Sequence, residues 1–477
     1  MEALAAAPAE IGAVVVDLEI AGAWAVDPVS GRAGPADVVV RDGILEALTW
    51  LARAEADGVD DRGVVVAPGF VDLHAHLREP GGEASETVAS GLAAAAHGGF
   101  TAVCGMPNTL PPADDPGVLA TVLGAGARSG SPVRLLPYGC ISAGRKGETL
   151  APLGALADAG AAAFSDDGSP VRSPTLLRSA LLYAAELGRV VVDHPEDQSL
   201  TAGAEANEGL VATVLGLPGW PVAGEVAAVE RDLAILADVV RDAPGARLHL
   251  THLSTAAALD AVRRAKGRGL PVTCDVTPHH LALSDEWLAG ARRWAWEAVD
   301  PEGRARDPWR DGALVAEPYD TALRVNPPLR SPTDALACLE AVADGTADAI
   351  ATDHAPHSSV DKEVEFGAAA NGIAGLETAL GQVLAAVDAG RLPLGRAIEA
   401  LTAGPARVLG SLLGRSAALV EGEPADLVVF DRSATWRVEP GVLASRSRNT
   451  PLLGRELAGR VVLTVAGGRV AYADPGE

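Results

Sequence analysis

Pro68-Gly69-Phe70-Val71-Asp72-Leu73-His74-Ala75-His76-Leu77-Arg78-Glu79-Pro80-Gly81 is the stretch on which the reading of this chain turns. A short apolar run leads into a His-x-His pair. In extended backbone, side chains alternate with a period of two, so both imidazoles fall on one side. That spacing suits chelation of one metal ion by both rings. The same pattern, an apolar run followed by an Ala/Leu-rich helical stretch, recurs downstream. The further runs are Thr101–Cys104, Val133–Leu136, Ala161–Phe164, Val190–Val192, Leu248–Leu250, Pro271–Cys274 and Ala349–Ala351. Eight strand–helix units over about 350 residues predict an α/β fold of the (β/α)8 type rather than a doubly wound sheet.

Polar residues cluster just after these runs: His74-Ala75-His76, Ser165-Asp166-Asp167, Asp193-His194, Thr251-His252 and Thr352-Asp353-His354. In a barrel the strand C-termini converge on one face, so groups far apart in sequence can meet there. Each motif has an ordinary explanation when taken singly. Asp-Asp-Gly is a common turn, and His252 or Asp353 would serve beside a helix N-cap. Their co-occurrence is what counts, because four histidines and two aspartates at separate strand ends satisfy the ligand count of a two-metal site. Spacing leaves open which of Asp166 and Asp167 takes part.

Outside the barrel pattern, residues 1–66 alternate short apolar runs (Ala13–Val16, Val38–Val40) with Gly, Asp and Pro. The tail from 415 onward does the same at Asp426–Asp431 and Gly459–Gly468. Both ends therefore predict short strands with tight turns, assembled into one small β-domain around a barrel at 67–414. The chain has 477 residues and is 48% hydrophobic, enough for one large barrel domain with an appendage. Its net charge of -25 repels phosphate backbones, so nucleic acid and anionic membranes are excluded as first partners. Met1–Ile20 carries no basic group and no uncharged apolar run approaches the ~18 residues of a membrane span. The four cysteines (Cys104, Cys140, Cys274, Cys338) lack CxxC spacing, so a reduced, cytoplasmic protein is expected. Lysine is scarce, occurring at Lys146, Lys266 and Lys362, and the other basic residues are arginine.

The quoted stretch resembles the signature of the cyclic amidohydrolases, and its Leu-Arg-Glu-Pro-Gly continuation resembles the class I dihydroorotases among them. Further blocks agree in order: Gly98–Thr101 through Met106–Thr109, Phe164–Gly168, His252–Thr255, Val276–Leu281, Asn326–Arg330 and Ala351–His357. The resemblance implies an amidohydrolase barrel with a β-sandwich built from both chain ends. It implies two Zn2+ ions per subunit, one on His74, His76 and Asp353, the other on His194 and His252, bridged by Asp167 and a hydroxide. In hydantoinases and allantoinases a carbamylated lysine usually stands at the bridge. No lysine is available at that strand end here, which points to the dihydroorotases with aspartate there.

The implied reaction is reversible hydrolysis of dihydroorotate to N-carbamoyl-L-aspartate, the third step of de novo pyrimidine synthesis, with Asp353 as base and then acid. Arg78 follows His76 by two residues and presents a planar fork suited to the substrate carboxylate. The resemblance adds Asn108 and His357 to that clamp, Asn326 to the ring, and backbone at Asn371-Gly372. Because the global field opposes an anion, attraction must come from this local pocket. His97, His249, His279 and His280 read as structural. Rival readings are another cyclic-amide hydrolase, disfavoured by the missing lysine, and a non-catalytic partner of aspartate transcarbamoylase, disfavoured by the complete ligand set. The resemblance also implies a homodimer or a complex with aspartate transcarbamoylase. Two departures stand out. Residues 285–322, with Trp287, Trp294, Trp296 and Trp309, form an aperiodic insertion, read as packing or a contact in preference to a lid. Asn371 replaces the more usual proline or phenylalanine.

Overall fold

A computed structural model describes residues 14–52 and 59–475. It opens with β1 (Leu18–Asp27), β2 (Arg32–Arg41), β3 (Ile44–Trp50) and β4 (Val64–Pro68). In β2 the residues Gly34, Ala36, Val38 and Val40 are buried and alternate with more exposed neighbours, as a sheet covered on one face requires. The expected run Ala13–Val16 is shorter than a strand: Ala13 lies outside the described residues, and Val15 makes an isolated bridge to Arg469.

Eight barrel strands follow, interrupted by one short pair. They are β5 (Phe70–Ala75), β6 (Phe100–Gly105), β7 (Arg134–Pro137), β8 (Ala163–Ser165) and β9 (Val190–Asp193). After the pair β10 (Ala206–Asn207) and β11 (Gly219–Trp220) come β12 (Leu248–Leu250), β13 (Val272–Val276) and β14 (Ala349–Ile350). The barrel strands pair in parallel as β5-β6-β7 and β8-β9-β12-β13-β14. Parallel bridges Gly139–Phe164 and Ala75–His354 join the two groups into a closed ring. β5 and β6 are buried at every position, which is why their sequences read as continuous apolar runs rather than alternating ones. Helices between them start on side-chain caps, for example Thr87, Ser173, Thr255 and Ser331, each accepting from a backbone N–H of the first turn.

The chain returns to the first sheet with β15 (Leu427–Arg437), β16 (Glu456–Ala466) and β17 (Arg469–Ala473), giving the order β17-β16-β15-β4-β1-β2-β3. Val16 N donates to Gly468 O and Val470 N to Val14 O, so residues just before β1 pair with the far edge. The sheet thereby folds over on itself as a sandwich. Val38, Val40, Val66, Leu427, Val429, Leu463 and Val465 form a core of its own. Phe430 of β15 packs on Phe70 of β5, centroids 6.3 Å apart, and ties sandwich to barrel.

The Trp-rich segment packs on itself. Trp287 is buried, Trp294 stacks on Trp296 at 5.5 Å, and the Arg455 guanidinium lies 3.8 Å over the Trp294 ring. These contacts support the packing reading over a lid. Among the described residues no helix is long and apolar enough to cross a membrane.

Candidate metal centre and pocket

Five barrel strands end at one spot. β5 delivers His74 and, just beyond it, His76; β8 leads into Asp167, β9 into His194, β12 into His252 and β14 into Asp353. All six side chains are buried. Ligand atoms of His74, His76 and Asp353 lie within 4.8 Å of one another, as do those of His74, Asp167 and His252. Asp167 sits between two histidine pairs. Its Oδ2 is 3.1 Å from His74 Nε2 and 3.4 Å from His76 Nε2. Its Oδ1 is 3.3 Å from His252 Nε2 and 3.4 Å from His194 Nδ1. Asp353 Oδ1 lies 3.4 Å from His74 Nε2 and 3.2 Å from His76 Nε2.

Asp166 faces elsewhere. Its Oδ1 accepts from the Ile141 and Ser142 N–H groups at 2.9 and 3.0 Å, and its Oδ2 accepts from the Ser142 hydroxyl. Its lone pairs are consumed in holding the loop after β7.

The donor set suits a cation. His74 Nε2 and His76 Nε2 are 3.3 Å apart, and His194 Nδ1 and His252 Nε2 are 2.9 Å apart. Two such nitrogens, each with its lone pair turned inward, repel unless a positive charge lies between them and the carboxylates. The outward nitrogens of His74, His76 and His194 are held by protein acceptors, which fixes their tautomers. His74 Nδ1 lies 2.8 Å from Thr251 Oγ1, and the Thr251 hydroxyl donates to Asp275 Oδ2 at 3.1 Å. His76 Nδ1 lies 2.9 Å from Asn108 Oδ1, and His194 Nε2 lies 3.0 Å from Glu196 Oε2.

Backbone strain gathers here too. Arg78 (φ 60°), Arg145 (φ 55°), His252 (φ 41°) and Asp353 (φ 43°) adopt the left-handed conformation that non-glycine residues avoid.

Beside the cluster is a cavity of about 180 Å³, suited to a molecule of one small ring. Every site residue expected from the sequence except His74 lines it. Arg78 donates from Nε to Pro356 O at 3.0 Å, leaving its two Nη groups for a ligand, with Nη2 3.2 Å from His357 Nε2. Burial lowers the Arg78 pKa to about 10, which keeps it charged at neutral pH. Burial, then Arg78, pushes His357 down to about 3, so the ring is neutral and its Nε2 donates to Asn371 O at 2.8 Å. Asn108, with Oδ1 on His76, keeps Nδ2 as a donor. Gly372 must be glycine: its φ is 150°, and a Cβ would stand 2.5 Å from Ala355 O. Its N–H already donates to Arg324 O at 2.8 Å and its carbonyl accepts from Asn449 Nδ2 at 2.9 Å. Of the expected backbone contact, the Asn371 carbonyl retains a second lone pair.

Comparison with known proteins agrees with this geometry. Residues 63–258 match the model of the Dihydro-orotase-like family, and residues 251–472 match that of the Amidohydrolase family. A dihydroorotase of Anaeromyxobacter dehalogenans is 48% identical over 96% of this chain and 98% of its own length. One from Pelotomaculum thermopropionicum is 43% identical over 96% and 99%. The chain belongs to the dihydroorotase family. It is accordingly a metal-dependent hydrolase of the amidohydrolase kind. In fold it is similar to the L-hydantoinase of Arthrobacter aurescens, with a TM-score of 0.77 over 97% of each chain at 24% identity. The dihydropyrimidinase of Brevibacillus agri gives 0.72 at 20% identity, covering 96% of each chain.

Several residues of this dihydroorotase-family centre escaped the sequence reading. Arg145 reaches from the loop after β7 to donate to Asp166 O at 3.2 Å, to the Asp167 carbonyl, and to Ser169 Oγ at 3.2 Å. Nothing local marks it. Glu196 did carry a signal, since it follows His194 by two residues. Of the histidines read as structural, His249 lies 2.8 Å from Asp275 Oδ2, His280 Nε2 lies 3.0 Å from Pro327 O, and His97 pairs with Glu377 at 2.8 Å. His279 differs: its buried Nε2 has no hydrogen-bond partner among the described residues.

Proposed function

We propose that this chain is a dihydroorotase: it hydrolyses dihydroorotate reversibly to N-carbamoyl-L-aspartate, the third step of de novo pyrimidine synthesis. One observation carries the reading: Asp167 stands between two histidine pairs, beside a cavity that Arg78 and Asn108 line. His74, His76 and Asp353 would hold one zinc ion and His194 and His252 the second, with Asp167 reaching both. Bound there, two divalent ions polarise the scissile carbonyl and acidify the attacking water.

The chain's own residues do the rest. Arg78 offers its two Nη groups to the substrate carboxylate as a bidentate pair, and Asn108 Nδ2 adds a third donor. His357, between Arg78 and Asn371, completes the clamp wall. Asn326 contacts the ring, and the Asn371-Gly372 backbone borders it. Asp353 takes the proton of the attacking water and returns it to the ring nitrogen as the amide bond breaks. Run backwards, the same transfers close the ring.

The hydantoinase-like fold does not carry hydantoinase specificity, since a carboxylate occupies the position between the histidine pairs. The test compares dihydroorotate, allantoin and dihydrouracil as substrates. Dihydroorotate should be strongly preferred; preference for either of the others refutes the proposal. Four unpaired, buried cysteines support a reducing, cytoplasmic setting. Homodimer formation, or a complex with aspartate transcarbamoylase, rests on family likeness, and sedimentation with and without that enzyme decides it.

A further inference from the structure

Glu196 lies just beyond the end of β9, and its side chain is 8% exposed. Three side-chain partners surround its carboxylate. Oε2 lies 3.0 Å from His194 Nε2 and also accepts from Asn326 Nδ2 at 3.3 Å. Oε1 accepts from the Thr201 hydroxyl.

Two consequences follow from the donor inventory. A neutral imidazole that donates from Nε2 has its lone pair on Nδ1. His194 therefore turns Nδ1 toward Asp167, at 3.4 Å, whereas His74, His76 and His252 turn Nε2 inward. A carboxylate two residues away thus sets which ring atom of His194 serves the centre. Likewise, an amide that donates Nδ2 to Glu196 presents Oδ1 as its free acceptor. Asn326 lines the cavity, so its free oxygen is matched there by a donor such as a ring N–H.

We propose that Glu196 is a positioning residue with two outputs: it holds His194 with Nδ1 toward the metal, and Asn326 with Oδ1 toward the substrate's ring N–H. Metal retention and ring recognition then depend on one carboxylate that touches neither metal nor substrate. The inference rests on the proposed dihydroorotase reading, so wild-type chain is measured first. Failure of wild type to bind zinc or to turn over dihydroorotate overturns that parent reading.

With wild type sound, zinc affinity of metal-stripped chain is measured by competition with a chromophoric chelator, and KM and kcat at saturating zinc. Glu196→Leu should weaken the second zinc ten- to hundredfold, the usual cost of losing a partner behind a metal ligand. It should also raise KM for dihydroorotate severalfold. Asn326→Ala should raise KM similarly and leave zinc affinity unchanged. Glu196→Gln keeps the shape and can turn its NH2 to Thr201, whose hydroxyl can accept. An oxygen then still faces His194 and Asn326, so zinc affinity should stay nearer wild type than in Glu196→Leu. Glu196→Met repeats the apolar substitution should Glu196→Leu fail to fold. Wild-type zinc affinity in a folded Glu196→Leu or Glu196→Met overturns the proposal. A lowered melting temperature with unchanged affinity and KM would reduce Glu196 to a structural role.

Discussion

Replacing Arg78 by methionine separates substrate binding from metal binding. The guanidinium supplies no atom to the histidine and aspartate cluster; its fixed contact is the 3.0 Å hydrogen bond from Nε to Pro356 O. Methionine keeps much of the apolar stem and removes the two Nη donors that face the cavity. Truncating one partner of a buried, charge-assisted pair costs about 2–5 kcal/mol. Arg78 stands partly exposed at the cavity edge, so the lower part of that range applies, about 2–4 kcal/mol. By the transition-state relation this is a loss of roughly 30- to 1,000-fold in kcat/KM. Arg78→Lys keeps the charge without the fork and should fall between wild type and Arg78→Met. The assay pairs elemental analysis of zinc with steady-state dihydroorotate hydrolysis. Arg78→Met should retain wild-type zinc and lose activity in that range. Loss of zinc together with activity, or a fall in kcat/KM below fivefold, would refute the carboxylate clamp.

Arg145→Met should free the carbonyls of Asp166 and Asp167 from their guanidinium donor and lower zinc affinity, with the circular dichroism spectrum unchanged; chelator competition reads this out. Arg455→Ala removes the cation over Trp294 and should cost about 1 kcal/mol of stability in denaturant melts, with KM unchanged. A raised KM would instead make the Trp-rich segment part of the pocket. The pH dependence of stability follows from His357, whose folded pKa of about 3 lies below the unfolded value near 6.5. The folded state binds fewer protons than the unfolded state across that window, so this residue's contribution falls as pH falls from 6.5 toward 3. His357→Gln does not titrate, and its acid limb should be shallower by up to about 1.4 kcal/mol per pH unit. Parallel curves for the two proteins would contradict the neutral ring.

Strand ends were legible because chemistry and periodicity coincide there. His74 on β5, His76 just beyond it, His194 beyond β9 and Asp353 beyond β14 each follow an apolar run short enough to be a barrel strand. The choice between Asp166 and Asp167 was not legible, because it is made by the N–H groups of Ile141 and Ser142 on another strand's loop. Arg145 was hidden for the same reason: its acceptors lie some twenty residues away and are main-chain carbonyls, which leave no side-chain pattern. Local pattern also placed the first strand too early. Val15 bridges Arg469 across the sandwich instead of continuing β1, a pairing set by the return of the far chain end. The tryptophans lack a period because they pack on one another and on Arg455 rather than along one face of a helix or strand.

Zinc titration into metal-stripped chain, followed by dihydroorotate hydrolysis at each step, tests the two-metal dihydroorotase most directly. Two zinc ions per chain should bind, with activity absent after stripping and restored as the second site fills. Full hydrolysis by metal-free chain, or a chain loaded with two zinc ions that neither opens dihydroorotate nor closes N-carbamoyl-L-aspartate, would contradict it.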